Sequence, residues 1–284
     1  MSEGLNLQSD KMKRNLAWKA LEKLLLIFLV LYILLPILVP LIFSFSRRWT
    51  DIFPEGLTTQ WYQRILSKPA YYRGLMTSLF VAITAVSVDI FVCVPAAYAI
   101  NRLRGGIGNA LRVVFKILPL IFPPIVVGTA FLRAFNRPPV AWSGSLVLTI
   151  FAHATLGFPF MFRNVLAAFQ TIDERTLSEA AASLGANLWQ RFRYILIPNV
   201  IPGVLSGSLL VFAISMGEFE VTLMIAGFGW KTLPLLLYRS LIDDVRTASA
   251  ISGILVATSV LAFLGMTLIS TYIGAGRMRG IERG

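Results

Sequence analysis

The 284-residue chain is 56% hydrophobic and 14% charged, with a mean hydropathy of +0.73, whereas soluble domains carry about 25% charged residues; so small a supply cannot cover a water-facing surface, and an integral membrane protein is expected. The net charge of +12 comes from basic residues set between apolar blocks rather than gathered on one solvated face, which excludes a nucleic-acid reader. One cysteine, Cys93, and one histidine, His153, exclude an intrachain disulfide, a CxxC site, a His-based metal centre and a Ser/His/Asp triad.

In chain order, a basic tail (residues 1–23, with Lys11, Lys13, Arg14, Lys19 and Lys23) precedes an uncharged block at 24–45. That block is too long for a signal-peptide core and no small-residue cleavage site follows it, so it reads as a retained first span kinked by Pro36 and Pro40. The loop 46–73 holds the turn residues Pro54 and Gly56, then Thr58 as N-cap of a short interfacial helix carrying Trp61, Tyr62 and Ile65. Further spans are expected at 74–100, interrupted by Asp89 and Pro95, and at 117–132, short and holding Pro119, Pro123 and Pro124. Three more follow at 140–162 (with His153 and Pro159), 200–217 and 248–273. The expected architecture is an all-α integral membrane protein with a six-span domain over 24–273 and a tail at 274–284. Lys and Arg are more numerous in the segments that share the N-terminal side, although the first outer loop is itself basic. The positive-inside bias therefore puts both termini in the cytoplasm.

The loop 171–199 between the fourth and fifth spans reads as two short helices around a break. The first, 173–184, has an acidic start (Asp173, Glu174, Glu179) and an alanine-rich middle. Gly185 supplies a left-handed stop. The second, 188–197, carries Trp189, Phe192 and Ile195 beside Arg191 and Arg193, and Pro198 is expected to end it. On physical grounds alone this is an amphipathic interfacial loop or a surface offered to a soluble partner.

Its spacing is more specific. Glu179-Ala180-Ala181, three residues, Gly185, nine residues and Ile195-Leu196-Ile197-Pro198 resemble the EAA loop of MetI-like ABC-importer permeases, with Ile197 where Leu is usual. The resemblance implies a type I ABC importer permease of the bacterial inner membrane, without chemistry of its own. By that resemblance the loop couples to a cytoplasmic ATPase dimer. Glu179 would make polar contact, Ala180 and Ala181 would allow close approach, Gly185 and Ala186 would set the elbow, and Pro198 would close the motif. No GxxxxGK[ST] sequence occurs, so ATP and Mg fall to the partner ATPase and no cofactor is expected here. A second, homologous permease subunit and a periplasmic or lipid-anchored substrate-binding protein complete the implied assembly.

Ionisable groups at membrane depth are functional candidates, each beside a structural alternative. Asp89, on one face with Cys93 and Ala97, reads as a hydrogen-bonded interhelical residue or as a contact for a cationic substrate. His153 reads as a satisfied interhelical donor rather than a proton relay, and Cys93 as a small packing residue. Glu218 and Glu220 follow a break at Met216-Gly217-Glu218, which is tolerated where protein or water fills the gap. These two acids either attract a cation, cap the next short helix, or pair with Lys231 and Arg239. Trp230, Thr232 and Pro234 open an interfacial helix through Tyr238.

Segments 53–66 and 215–238 are similar to those of permeases for polyamines and 2-aminoethylphosphonate, which implies a small amine-bearing substrate. Permeases of the same family for ferric iron, thiamine or oxyanions are the alternative, and polyamine permeases carry two adjacent acids where this chain has Gly217-Glu218. An ion-driven secondary transporter is the competing class, but the two halves show no repeat. A membrane-embedded enzyme would lack catalytic parts.

Overall fold

A computed structural model describes residues 2–49, 54–103, 105–172 and 174–281. Helix α1 (Ser2–Ser44) runs unbroken through Pro36 and Pro40. A small antiparallel pair, β1 (Ser46–Arg48) with β2 (Glu55–Leu57), then leads into α2 (Gln60–Ser67). The N-cap of α2 is Thr59 rather than Thr58, yet the Thr58 hydroxyl accepts the Gln60 N–H at 3.2 Å. Trp61 Nε1 donates to the Ser46 carbonyl at 2.9 Å, and the Tyr62 and Ser44 hydroxyls meet at 2.7 Å, which docks α2 on the end of α1.

Helix α3 (Pro69–Arg102) exceeds the expected second span at both ends. Residues 117–132, expected as one span, are instead divided between α4 (Gly105–Ile121) and α5 (Pro124–Ala134). The cause is the Pro123-Pro124 pair, which lacks two N–H donors and drives the preceding residue out of the helical region. A hairpin of β3 (Asn136–Arg137) and β4 (Val140–Ala141) follows. It pushes the start of α6 (Leu146–Thr171) beyond the expected residue 140, and Ser145 Oγ accepts the Leu148 N–H there as N-cap.

Next come α7 (Glu174–Ser183), α8 (Leu188–Arg191), a five-residue π segment (Phe192–Leu196) and α9 (Ile197–Gly217). The chain closes with α10 (Glu220–Ile225), α11 (Leu233–Asp243) and α12 (Val245–Ile281). Among the described residues, five helical runs are long and apolar enough to cross a membrane: Trp18–Ser44, Pro69–Arg102, Leu146–Thr171, Leu188–Gly217 and Val245–Tyr272. The broken pair α4 and α5 stands where the sequence suggests a sixth.

The centre of the bundle is α3, α6 and α9. Lipid tails are as apolar as leucine, so membrane helices gain by packing closely through small residues. A Cβ on Gly157 of α6 would meet Asp89 Oδ2 at 2.6 Å and Val211 Cγ1 at 2.7 Å, and one on Gly203 of α9 would meet Ala168 Cβ at 2.5 Å. A single core joins Cys93, Met161, Phe162, Phe169, Leu196 and Val211. Helix α1 lies outside it, packs mainly on α12, and is exposed from Trp18 to Val39.

Candidate functional site

The loop between α6 and α9 folds as an elbow. Gly185 sits at φ +85°, a left-handed conformation that costs an L side chain roughly 1–2 kcal/mol. Around it the Ala186 N–H donates to the Ala181 carbonyl at 3.0 Å and the Gly185 N–H to the Ala182 carbonyl at 2.9 Å, the paired bonds of a Schellman stop. Two residues later Asn187 opens α8. Its Oδ1 accepts the Gln190 N–H at 2.9 Å, and Gln190 Oε1 accepts the Asn187 N–H at 2.8 Å, a reciprocal capping box. The corner between the helices is thus closed by hydrogen bonds on both sides, with nothing within 4 Å of the place a Gly185 Cβ would occupy.

Glu179 is exposed on α7 and pairs with Arg175 one turn back at 2.6 Å. Ala180 is exposed beside it, Ala181 is buried, and Ala186 is half-buried. Leu184, Leu188, Trp189 and Tyr194 are exposed around the corner, Trp189 by 63%. The elbow therefore offers an apolar surface edged by one carboxylate. Asp173, the expected acidic start, lies outside the described residues; Glu174 opens α7 instead.

Pro198 does not end a helix. It lacks the N–H that would reach the Tyr194 carbonyl, and its ring would strike that carbonyl in a regular α-helix. The π segment immediately before it, closed by the Ile197 N–H on the Phe192 carbonyl, widens the turn so that the helix passes the proline. The second half of the elbow and the following span form one run, Leu188–Gly217.

A second polar junction sits where α7 meets the end of α3. Buried Glu174 faces Arg102, Oε1 to Nε 3.6 Å. Arg102 Nη1 donates to the Tyr98 hydroxyl at 2.8 Å, and its Cζ lies 5.2 Å over the Tyr98 ring. Arg112 of α4 donates through Nη2 to the carbonyls of Ile100, Asn101 and Leu103 at 3.3, 3.3 and 2.9 Å, satisfying the open end of α3.

At the other end of the α9 run, the helix stops at Glu218. The side chain of Glu218 turns back onto α10: Oε1 accepts the Val221 N–H at 2.7 Å, and Oε2 accepts the Thr222 N–H at 3.1 Å and its hydroxyl at 3.0 Å. His153 of α6 completes the cluster, Nδ1 to Ser215 Oγ 2.7 Å and Nε2 to Thr222 Oγ1 2.9 Å. Of the readings open for Glu218, the structure has the capping one. Glu220 is half-buried and lines a cleft of about 370 Å³ with Glu218, Leu120, Phe122, Phe160 and Phe219. The cleft lies where the two broken segments, α4–α5 and α9–α10, come together. Gly128 of α5 makes that approach possible, since a Cβ there would meet Val221 Cα at 3.1 Å.

Asp89 is buried away from this cleft, against Gly157, and its Oδ2 has no hydrogen-bond partner. Cys93 is buried one turn further along and packs in the core, its Sγ 3.7 Å from the Phe158 carbonyl. Glu218 is thus brought together with His153 and shares the cleft wall with Glu220, while Asp89 lies apart. Sequence reasoning missed Ser215 and Thr222, because single hydroxyls are common in apolar helices and no spacing marks these two. It also missed the pairing of Glu174 with Arg102, which joins helices far apart in the chain.

Residues 93–275 match the family described as "Binding-protein-dependent transport system inner membrane component". A Salmonella choleraesuis protein named as a 2-aminoethylphosphonate transport system permease is 31% identical over 236 residues, 82% of this chain and 88% of its own length. The molybdenum transport system permease protein of Mycobacterium tuberculosis is 31% identical over 71% of this chain and 81% of its own. The putrescine transport system permease protein of Escherichia coli K12 is 28% identical over 85% and 88%. Among solved structures, a chain of a bacterial alginate ABC transporter in complex with an alginate-pentasaccharide-bound periplasmic protein shares the fold, with a TM-score of 0.68 at 16% identity over 93% of this chain and 97% of that one.

Proposed function

The chain belongs to the family of binding-protein-dependent transport system inner membrane components and is a permease subunit of an ABC importer rather than an enzyme; from that premise we propose that it moves a small amine-bearing solute such as a polyamine or 2-aminoethylphosphonate. The observation that carries this substrate class is the cleft at the two helix breaks. One carboxylate, Glu218, is fully engaged in capping α10, while Glu220 lines the cleft beside the rings of Phe122, Phe160 and Phe219. An acid among aromatic faces suits an ammonium group, which gains from the charge and from the ring quadrupoles.

The elbow is the coupling element in this reading. Leu184, Leu188 and Trp189 form the contact with a cytoplasmic ATPase dimer, Glu179 makes the polar contact at its edge, and Gly185 with Ala186 holds the angle. Both termini are cytoplasmic, in keeping with the distribution of Lys and Arg. A second permease subunit supplies the other half of the path, a substrate-binding protein delivers the solute from outside, and ATP with Mg is held by the ATPase.

The experiment is uptake into proteoliposomes holding the full complex, with labelled putrescine, 2-aminoethylphosphonate and molybdate supplied in turn. ATP-dependent uptake of an amine, blocked by vanadate, is the expected result. Uptake of molybdate alone sinks the amine assignment in favour of the oxyanion reading. Uptake that survives vanadate and collapses with a protonophore overturns the ATP-driven mechanism itself.

A further inference from the structure

The junction of Glu174 with Arg102 has a geometry that packing alone does not require. Glu174 stands in the first turn of α7 and Arg102 in the last turn of α3. Each charge therefore opposes the partial charge of its own helix end, acid at the amino end and base at the carboxyl end. Glu174 is only 5% exposed, and its Oε1 receives no hydrogen bond; a carboxylate this far from water is stable only against a paired charge. The Arg102 guanidinium is in turn fixed by the Tyr98 hydroxyl and ring. The Tyr98 ring lies 5.8 Å from that of Phe169 at the end of α6 and 5.6 Å from that of Phe192 in the π segment. Three helices of the bundle centre thus converge on one tyrosine–arginine pair, and an ionic contact joins α7 to that pair. Arg112 stiffens the same end of α3 by binding its terminal carbonyls.

We infer that Arg102 is a positioning residue for coupling: through Glu174 it ties the elbow helix to the end of α3, so that movement of α7 is delivered sideways to the α3–α6 pair as well as along the chain through α9. The inference rests on the permease reading above and names a second transmission route within it. A chain of contacts with a discrete paired and unpaired state is the physical form such coupling takes. The pair lines a groove of about 740 Å³ with Asn101, Phe169, Gln170 and Arg175, so α7 has room to shift there once the pair opens.

The test is charge reversal in the complete complex, co-purified with its second permease and ATPase and reconstituted with the binding protein. Arg102→Glu and Glu174→Arg each reduce binding-protein-stimulated ATP hydrolysis by about tenfold, within the range of ordinary coupling energies. Basal hydrolysis and the yield of assembled complex stay at the wild-type level, a split that mere loss of folding does not give. The double variant Arg102→Glu with Glu174→Arg recovers part of the stimulation, since the pair is restored while each swapped charge now meets a like-signed helix end. Single variants that keep full stimulation, or a double variant no better than the singles, overturn the tie. Should a reversal fail to assemble, Glu174→Gln, which keeps the shape and removes the charge, decides by the same ratio of stimulated to basal hydrolysis. A wild-type complex with no stimulation by the binding protein overturns the permease reading, and the tie with it, whatever the variants do.

Discussion

His153 and Glu218 stand 3.4 Å apart, imidazole Nε2 to carboxylate Oε2, with the Thr222 hydroxyl within hydrogen-bonding distance of both. His153 lies on α6 and Glu218 between α9 and α10, 65 positions apart in number, and neither is more than marginally exposed. Together with Ser215 they fasten α6, α9 and α10 at the point where α9 stops. A polar cluster at membrane depth holds because each group has a partner; it loses more when one member is removed than the average bond is worth.

Replacement of His153 by Leu keeps the volume and removes both ring nitrogens, leaving Ser215 and Thr222 without that partner. The expected cost is about 1–3 kcal/mol, read as a lower unfolding temperature of the purified protein in detergent. His153→Asn, able to donate and accept, recovers part of it. An unchanged melting temperature for His153→Leu contradicts a fastening role.

Glu218 and Glu220 separate by the kind of damage each change does. Glu218→Ala removes the acceptor for the Val221 and Thr222 N–H groups and costs about 1–2 kcal/mol, the scale of a lost cap. Glu220→Gln leaves the melting curve in place and lowers amine uptake, chiefly by raising the apparent KM. The reverse pattern, with Glu220 destabilising and Glu218 silent, contradicts the roles given to them.

At Gly185 the backbone, not space, sets the requirement. Gly185→Ala forces a Cβ into the left-handed region at roughly 1–2 kcal/mol, although no atom lies within 4 Å to clash with it. ATP-dependent uptake is expected to fall with expression maintained, Gly185→Val, whose branched side chain is an outlier in this region, to fall further, and Gly185→Asn, which visits it readily, to stay nearest wild type. Normal uptake by a well-expressed Gly185→Val variant shows that the elbow angle is immaterial.

Gly157 tests the opposite case, where space is the constraint. A side chain there meets Asp89 Oδ2 and Val211 Cγ1 at under van der Waals distance, and Gly157→Val is expected to separate α3, α6 and α9 at a cost of about 1–3 kcal/mol or more. Thermal unfolding in detergent measures it. The companion change Gly157→Val with Asp89→Ala relieves part of the strain, and failure to do so places the clash elsewhere.

The membrane class and the elbow were legible from the sequence because both depend on local signals: long uncharged runs, and a glycine at fixed distance from a cap and a proline. The Schellman bonds around Gly185 and the Asn187–Gln190 box lie within a few residues of one another. The division of 117–132 is marked by Pro123-Pro124, yet apolar content continues across the break, so the sequence reads as one short span. Pro198 reads as a stop because a proline interrupts an α-helix; the π segment that accommodates it has no sequence mark of its own. The roles of Glu218 and Glu220 could not be told apart, as both follow the same break and only the turn of the chain at Phe219 decides which carboxylate folds back. The Arg102–Glu174 and His153–Ser215 contacts join distant segments, and a single sequence carries no signal for such pairs.

The unbroken run from Leu188 to Gly217 spans 30 residues, roughly 45 Å at the usual helical rise. On the proposed coupling role it is a crankshaft: one end presents exposed Trp189 at the elbow, and the other stops at Glu218, on the wall of the acid-lined cleft. A roll imposed at the tryptophan is carried to the carboxylate along one helical run, and torque can be lost at the π segment beside Pro198 and at Pro202, where a backbone donor is missing.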